Sequence, residues 1–110
     1  MANQPARALI NVPAKAKRGD IVDVKAMLSH PMETGFRPGP DGKLIARDIV
    51  KRFVCTYDGE TVFSADLFPA ISANPFLAFS FIATQSGVVT FSWTDDQDQT
   101  VVRTAKIEVE

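Results

Sequence analysis

Apolar residues in this sequence recur at every second position, in runs that turn residues cut short, and that period leaves few folds open. The stretch "IVDVKAMLS" is the clearest case. Val22, Val24, Ala26 and Leu28 share one face, and Asp23, Lys25 and Ser29 the other. In "SGVVTFSWTDD", Val89, Phe91 and Trp93 alternate with Thr90, Ser92 and Thr94. Leu77, Phe79 and Phe81 share a side of "PFLAFSFIAT", and Val101, Ala105, Ile107 and Val109 share a side of "TVVRTAKIEVE". A first run, Ala8 to Val12, is closed by Pro13. The chain has no internal repeat and no segment with convincing helical spacing. Roughly seven short strands in one chain predict an all-β fold: an immunoglobulin-like antiparallel β-sandwich. Residues 1–110 are read as a single domain.

The strongest turn signal is Asp58-Gly59, between the apolar runs of "DIVKRFVCTYDGETVFSADLF". A two-residue loop would pair Cys55 with Val62 and Val54 with Phe63. A three-residue loop, Tyr57 to Gly59, would pair Phe53 with Phe63 and Ile49 with Leu67. The second gathers the larger side chains on one face and is the preferred register; one residue of slip moves a strand's whole apolar set across the sheet. Trp93 is the expected core plug, with Phe53, Cys55 and Phe79 as further core residues. Hydrophobic residues make up 45% of the chain, enough for a core without metals or disulfides. A single cysteine excludes an intramolecular bridge, so packing alone must join the sheets.

Both faces of the hairpin are apolar, and so are both faces of Phe76 to Ile82. One sandwich buries only one face of each strand, so the excess predicts a partner surface or an oligomer. Val54, Val62, Phe76 and Ile82 are the residues expected there. The net charge of −1, from 12 basic and 13 acidic residues, argues against a nucleic-acid partner. No apolar run approaches a membrane span, and "MANQPARALINVP" has no run of signal-peptide length. Composition alone would place such a chain in the cytoplasm.

Little in the sequence carries chemistry. Cys55 would need a neighbouring cation, helix N-terminus or histidine to become a thiolate; a buried, inert cysteine is the plainer expectation. His30 is the only histidine, so a metal site would need carboxylates to complete it. Glu33, three residues on, is placed for a local hydrogen bond in a turn. "PGPDGK" lacks the Gly-Lys-Ser/Thr ending and following helix of a phosphate loop. Asp41-Gly42 reads instead as a turn, the tip of a small β-ribbon. No catalytic residue, metal or cofactor is assigned. The stretch "SHPMETGFRPGPDGK" remains, with three prolines, three glycines and that histidine. A loop of this length in a compact domain is usually functional or disordered.

The segments "LSHPMETGFR", "DGKLIARDIVKRFVCTYDGETVF", "ISANPFLAFSF" and "FSWTDD", in that order from about Gly19 to Asp96, resemble the SoxZ family. SoxZ is the small subunit of the SoxYZ carrier of bacterial thiosulfate and sulfur oxidation. The resemblance implies an immunoglobulin-like sandwich that pairs with SoxY as a heterodimer and is not itself the catalyst. SoxY bears the sulfur intermediates on a cysteine in a Gly-Gly-Cys-Gly-Gly tail. This chain ends "AKIEVE" and keeps its cysteine mid-strand, which matches the Z subunit rather than the Y subunit. It departs from the family where Pro38-Gly39-Pro40 replaces the usual Lys-Asp after Arg37, where Phe76 replaces a tyrosine, and where Ala46 replaces a proline. The resemblance also implies work in the periplasm, reached by co-export with SoxY. It makes His30, Pro31, Met32, Glu33, Thr34, Gly35 and Arg37 a docking or shaping element for that partner. Two other readings stay open at this point: an independent redox protein using Cys55 and His30, and a homodimeric β-sandwich binding module.

Overall fold

A computed structural model describes residues 7–69, 71 and 73–110. The first six residues of the expected domain and Ser72 of the "ISANPF" run lie outside the described residues. The described residues form eight strands: β1 (Ala8–Asn11), β2 (Lys15–Ala16), β3 (Ile21–Leu28), β4 (Val50–Tyr57), β5 (Glu60–Asp66), β6 (Phe76–Ile82), β7 (Gly87–Asp95) and β8 (Thr100–Val109). They form two sheets, β1-β3-β6 and β2-β8-β7-β4-β5, packed face to face as an immunoglobulin-like sandwich. All long pairings are antiparallel; the two-residue β2 alone pairs parallel, with Glu108 and Val109 of β8.

The alternation read in the sequence sets the core directly. Val22, Val24, Ala26 and Leu28 of β3 face Phe53, Cys55 and Tyr57 of β4 and Val89, Phe91 and Trp93 of β7, and all are buried. Phe79 is half-buried rather than buried. It sits where the sheets open between β5 and β6, and its ring stacks on Phe63 at 4.5 Å and 9°. Phe53 is the meeting point, with ring centroids 5.3–6.3 Å from Trp93, Phe79, Phe63 and Phe91.

Neither expected hairpin register survives along its whole length. Asp58 (φ 52) and Gly59 (φ 86) are both left-handed, as a two-residue type I′ turn requires, and they pair Tyr57 with Glu60 and Thr56 with Thr61. A β-bulge then inserts Val62, so that Cys55 faces Phe63 and Phe53 faces Ala65. The uninterrupted two-residue register would have turned Phe63 to the outer face. The bulge brings it against Phe53, a gain of about 1.5–3 kcal/mol if the ring were fully buried. A second irregularity beside Lys51 lets Val50 and Phe53 both point inward.

Trp93 is buried, but its indole N–H has no acceptor. Trp93→Ala should therefore cost about 3–5 kcal/mol through the cavity it leaves. Trp93→Phe should cost under about 1.5 kcal/mol, because no hydrogen bond is lost. Urea denaturation of the two variants checks both values.

Candidate functional site

The stretch from Ser29 to Lys43 is not a loose loop but a backbone-anchored ribbon at one end of the sandwich. The Ser29 N–H donates to the Arg7 carbonyl at 2.7 Å. The His30 N–H donates to Asn74 Oδ1 at 2.9 Å, and the Asn74 N–H returns a bond to the His30 carbonyl at 2.7 Å. The His-Pro and Asn-Pro runs, 44 residues apart in sequence, thus clamp one another. Asn74 (φ 55) adopts the left-handed conformation that asparagine tolerates best among non-glycine residues.

The expected hydrogen bond from His30 to Glu33 does not form. The Met32 N–H donates to His30 Nδ1 at 2.9 Å instead, and this tight turn sends the Met32 side chain inward. Met32, expected at a docking surface, is 4% exposed, and its Sδ accepts the Val50 N–H at 3.3 Å. Pro31 is exposed and Thr34 and Gly35 are half-buried. Glu33 and Asp48 exchange both main-chain bonds, at 2.9 and 2.8 Å. The freed Glu33 carboxylate takes Arg37 at 2.5 Å, and the guanidinium's hydrogen bonds hold it below its ordinary pKa. Gly35 suits its place because its φ of 90° is one that side chains rarely adopt, and a Cβ there would lie 3.1 Å from the Arg47 Cβ. Beyond it Pro38 bridges Leu44, and Gly42 turns the tip, which is the small ribbon read from Asp41-Gly42. Arg47 closes the arrangement with two bonds to the Asp96 carboxylate, at 2.8 and 2.7 Å, while Asp96 also accepts the Ile49 N–H.

Behind this ribbon His30, Asp48 and Asp95 converge, each with a nitrogen or oxygen within 4.8 Å of the others. Asp48 Oδ1 is buried without a partner, and Asp95 Oδ1 accepts the Gln97 and Gln99 N–H groups at 2.9 Å each. A cavity of about 330 Å³ adjoins them, lined by Leu28, Trp93 and Thr100 among others. The trio has the residue types of a divalent-cation site. His30 Nδ1 already accepts the Met32 N–H, which leaves Nε2 as the ring atom open to a further contact.

Cys55 is fully buried, and burial pushes its thiol up to about 12. Its sulfur lies 4.0 Å from the Thr56 carbonyl. Arg52, the cation nearest in sequence, is turned to Asp66 at 2.7 Å. No thiolate-stabilising group reaches the sulfur among the described residues.

Exposed large hydrophobics lie on the outer face of the three-stranded sheet and also outside the strands, at Phe36, Leu44 and Phe68. Phe76 is 59% exposed and Ile82 51%, whereas Val54 and Val62 are half-buried. The register adds two residues the sequence reading missed. Leu9, Met27 and Phe76 lie side by side across the three strands, and Ile21 lies beside Ile82. Leu9 is 64% exposed and Ile21 68%. Asp48, Asn74, Asp95 and the Arg47–Asp96 pair were missed too; each depends on a partner far away in sequence.

A model of the family described as sulphur oxidation protein SoxZ matches residues 10–106. No curated protein matches the chain. Among solved structures, a superoxide reductase (neelaredoxin) variant from Ignicoccus hospitalis superposes with a TM-score of 0.74 at 17% identity, covering 94% of this chain and 79% of that one. A putative superoxide reductase from Thermotoga maritima gives 0.72 at 15% identity, covering 94% and 85%. The sulfur carrier protein SoxY from Chlorobium limicola f thiosulfatophilum gives 0.66 at 14% identity, covering 94% and 78%. These likenesses are of fold.

Two outcomes follow from the buried thiol and the Asp96 anchor. In the native protein Cys55 should react with a thiol reagent no faster than the chain unfolds, and within seconds in denaturant; rapid native labelling would contradict its sealed position. The Arg47 hydrogen bonds hold Asp96 below its ordinary 3.8, so folding favours its charged form. That contribution is complete above 3.8 and is lost as pH falls through the lowered value. Asp96→Asn should lower the Tm at pH 7 by a few degrees, and the difference from the unaltered chain should shrink towards pH 3, as thermal melts across that range will show.

Proposed function

Because the chain belongs to the SoxZ family of sulphur oxidation proteins, and so serves the Sox system, we propose that it is the non-catalytic subunit that binds SoxY. In this reading it covers part of SoxY and supports the presentation of the SoxY cysteine that carries the sulfur intermediates. The observation that carries the reading is the pair of apolar clusters on the outer face of the three-stranded sheet: Leu9, Met27 and Phe76 at one end and Ile21 with Ile82 at the other, with Asp23 and Lys25 between them. A monomer gains nothing by leaving these clusters in water, and a partner that covers them gains in proportion to the area removed. The sealed thiol supports the same reading, since a sulfur-carrying cysteine has to be reachable. The work is placed in the periplasm, with the chain carried across the membrane by SoxY.

The reading has a direct test. Purified SoxY from the same organism, mixed with this chain, should co-elute with it at a mass of one copy of each; separate elution would end the proposal. In cells, the chain should appear in the periplasmic fraction only when SoxY is exported. The His30 ribbon is proposed as a docking element beside the apolar face. His30→Ala, Glu33→Ala and Arg37→Ala should each weaken SoxY binding several-fold. The Tm of Glu33→Ala and Arg37→Ala should fall by only a few degrees, because their surface ion pair contributes little to folding, whereas His30→Ala, which also loses the bond from the Met32 N–H, should fall further. Unchanged binding in all three would return the ribbon to scaffolding.

A further inference from the structure

Among the described residues, most sheet edges are blunted against pairing with another chain. β1 has four residues; β2 has two and leaves β8 uncovered from Thr100 to Ile107, a stretch that carries Arg103 and Lys106. β5 is bulged at Val62 and carries Glu60 and Asp66. Short strands, bulges and charges are the usual guards. The remaining edge, β6, has none of them: it reads "FLAFSFI", seven residues without a charge or a proline, in unbroken register with β3.

The direction of its main-chain groups follows from its two flanks. The Leu28 N–H donates to the Pro75 carbonyl, and the Ala83 N–H donates to the Asp20 carbonyl. Antiparallel pairs alternate between hydrogen-bonded and non-hydrogen-bonded. Leu77, Phe79 and Phe81 are therefore the residues whose N–H and C=O groups face β3. Those of Phe76, Ala78, Ser80 and Ile82 face away, towards the open side. No turn or side-chain hydrogen bond of a described residue reaches these four amides. The same four side chains lie on the outer face, where Phe76 and Ile82 flank the small Ala78 and Ser80. The small pair, with Asp23 and Lys25, lines a shallow depression of about 330 Å³.

We infer that SoxY joins this chain by strand addition: an extended segment of SoxY pairs with β6 and lengthens the three-stranded sheet. The inference rests on SoxY being the partner. The chemistry of the edge selects its occupant, since a row of alternating free donors and acceptors is satisfied by another extended strand. SoxY can supply one, because the Chlorobium limicola SoxY structure is a sandwich of the same fold and so has sheet edges of its own. A lone added strand covers too little for a stable complex, which needs about 1,600 Å² in total. The SoxY segment therefore also covers the outer face, where Leu9, Ile21, Phe76 and Ile82 await it.

The test compares two edges. Ala78→Pro removes an outward N–H that β3 does not use, and Ser64→Pro does the same on β5, whose Leu67 bond to the Lys51 carbonyl sets the phase. Ala78→Pro should lower SoxY affinity at least about tenfold, and Ser64→Pro should leave it within about threefold. A second readout leaves the backbone alone: a nitroxide on Ser80→Cys, selective because Cys55 is buried, should be immobilised when SoxY binds. It decides the matter if Ala78→Pro does not fold. If the unaltered chain does not bind SoxY, the choice of partner is what fails. If it binds, and either Ala78→Pro binds as well as the unaltered chain or the label stays mobile, strand addition at β6 is overturned. A chain that pairs with its own copy through β6 and is not displaced by SoxY overturns it as well.

Discussion

Two sheets without a covalent bridge stay together by what their facing side chains remove from water, and in this chain those contacts converge on Phe53. Its ring meets Phe79 from the three-stranded sheet and Phe63, Phe91 and Trp93 from its own. The strand pairs on either side of this cluster place Phe63 and Phe91 opposite Cys55 and Trp93 opposite Phe53. The bulge at Val62 exists to complete the cluster, and the seal over Cys55 is a consequence of it. Dense packing around a small thiol excludes water and cations together, which is why burial dominates its acidity. The same packing that makes the fold thus seals the chain's single thiol from solvent.

The parts of the structure that were legible in the sequence are those with a period. β3 and β7 alternate so cleanly that their buried faces could be named residue by residue. The hairpin could be located from Asp58-Gly59, but its register could not. The choice turned on where one extra residue would be absorbed, and Val62 was absorbed for the sake of Phe63, whose packing partner on β6 is 16 residues away. The opening ribbon was hidden for a related reason. Its anchors are Asn74, Asp48 and Asp96, and a bond between residues tens of positions apart leaves no local trace. Met32 was misplaced because a single left-handed residue (φ 54) reverses the direction of a side chain without altering composition.

The resemblance to the SoxZ family became informative once the two runs that carry it, His-Pro and Asn-Pro, were found to clamp each other. That clamp fixes the entry to β6 and the exit from β3. It thereby sets the end of the sheet where Leu9, Met27 and Phe76 cluster on the outer face and where the β6 edge begins. His30 is thus a structural hub: its Nδ1 accepts the Met32 N–H, and its ring lies near Asp48 and Asp95.

Amide hydrogen exchange of the chain with and without SoxY tests this account most directly. In the free chain the amides of Phe76, Ala78, Ser80 and Ile82 should exchange fast, and those of Leu77, Phe79 and Phe81 slowly, because only the second set is bonded to β3. Binding of SoxY should slow the first set to the rate of the second. Exchange at those four amides that stays fast while SoxY is demonstrably bound would contradict the account.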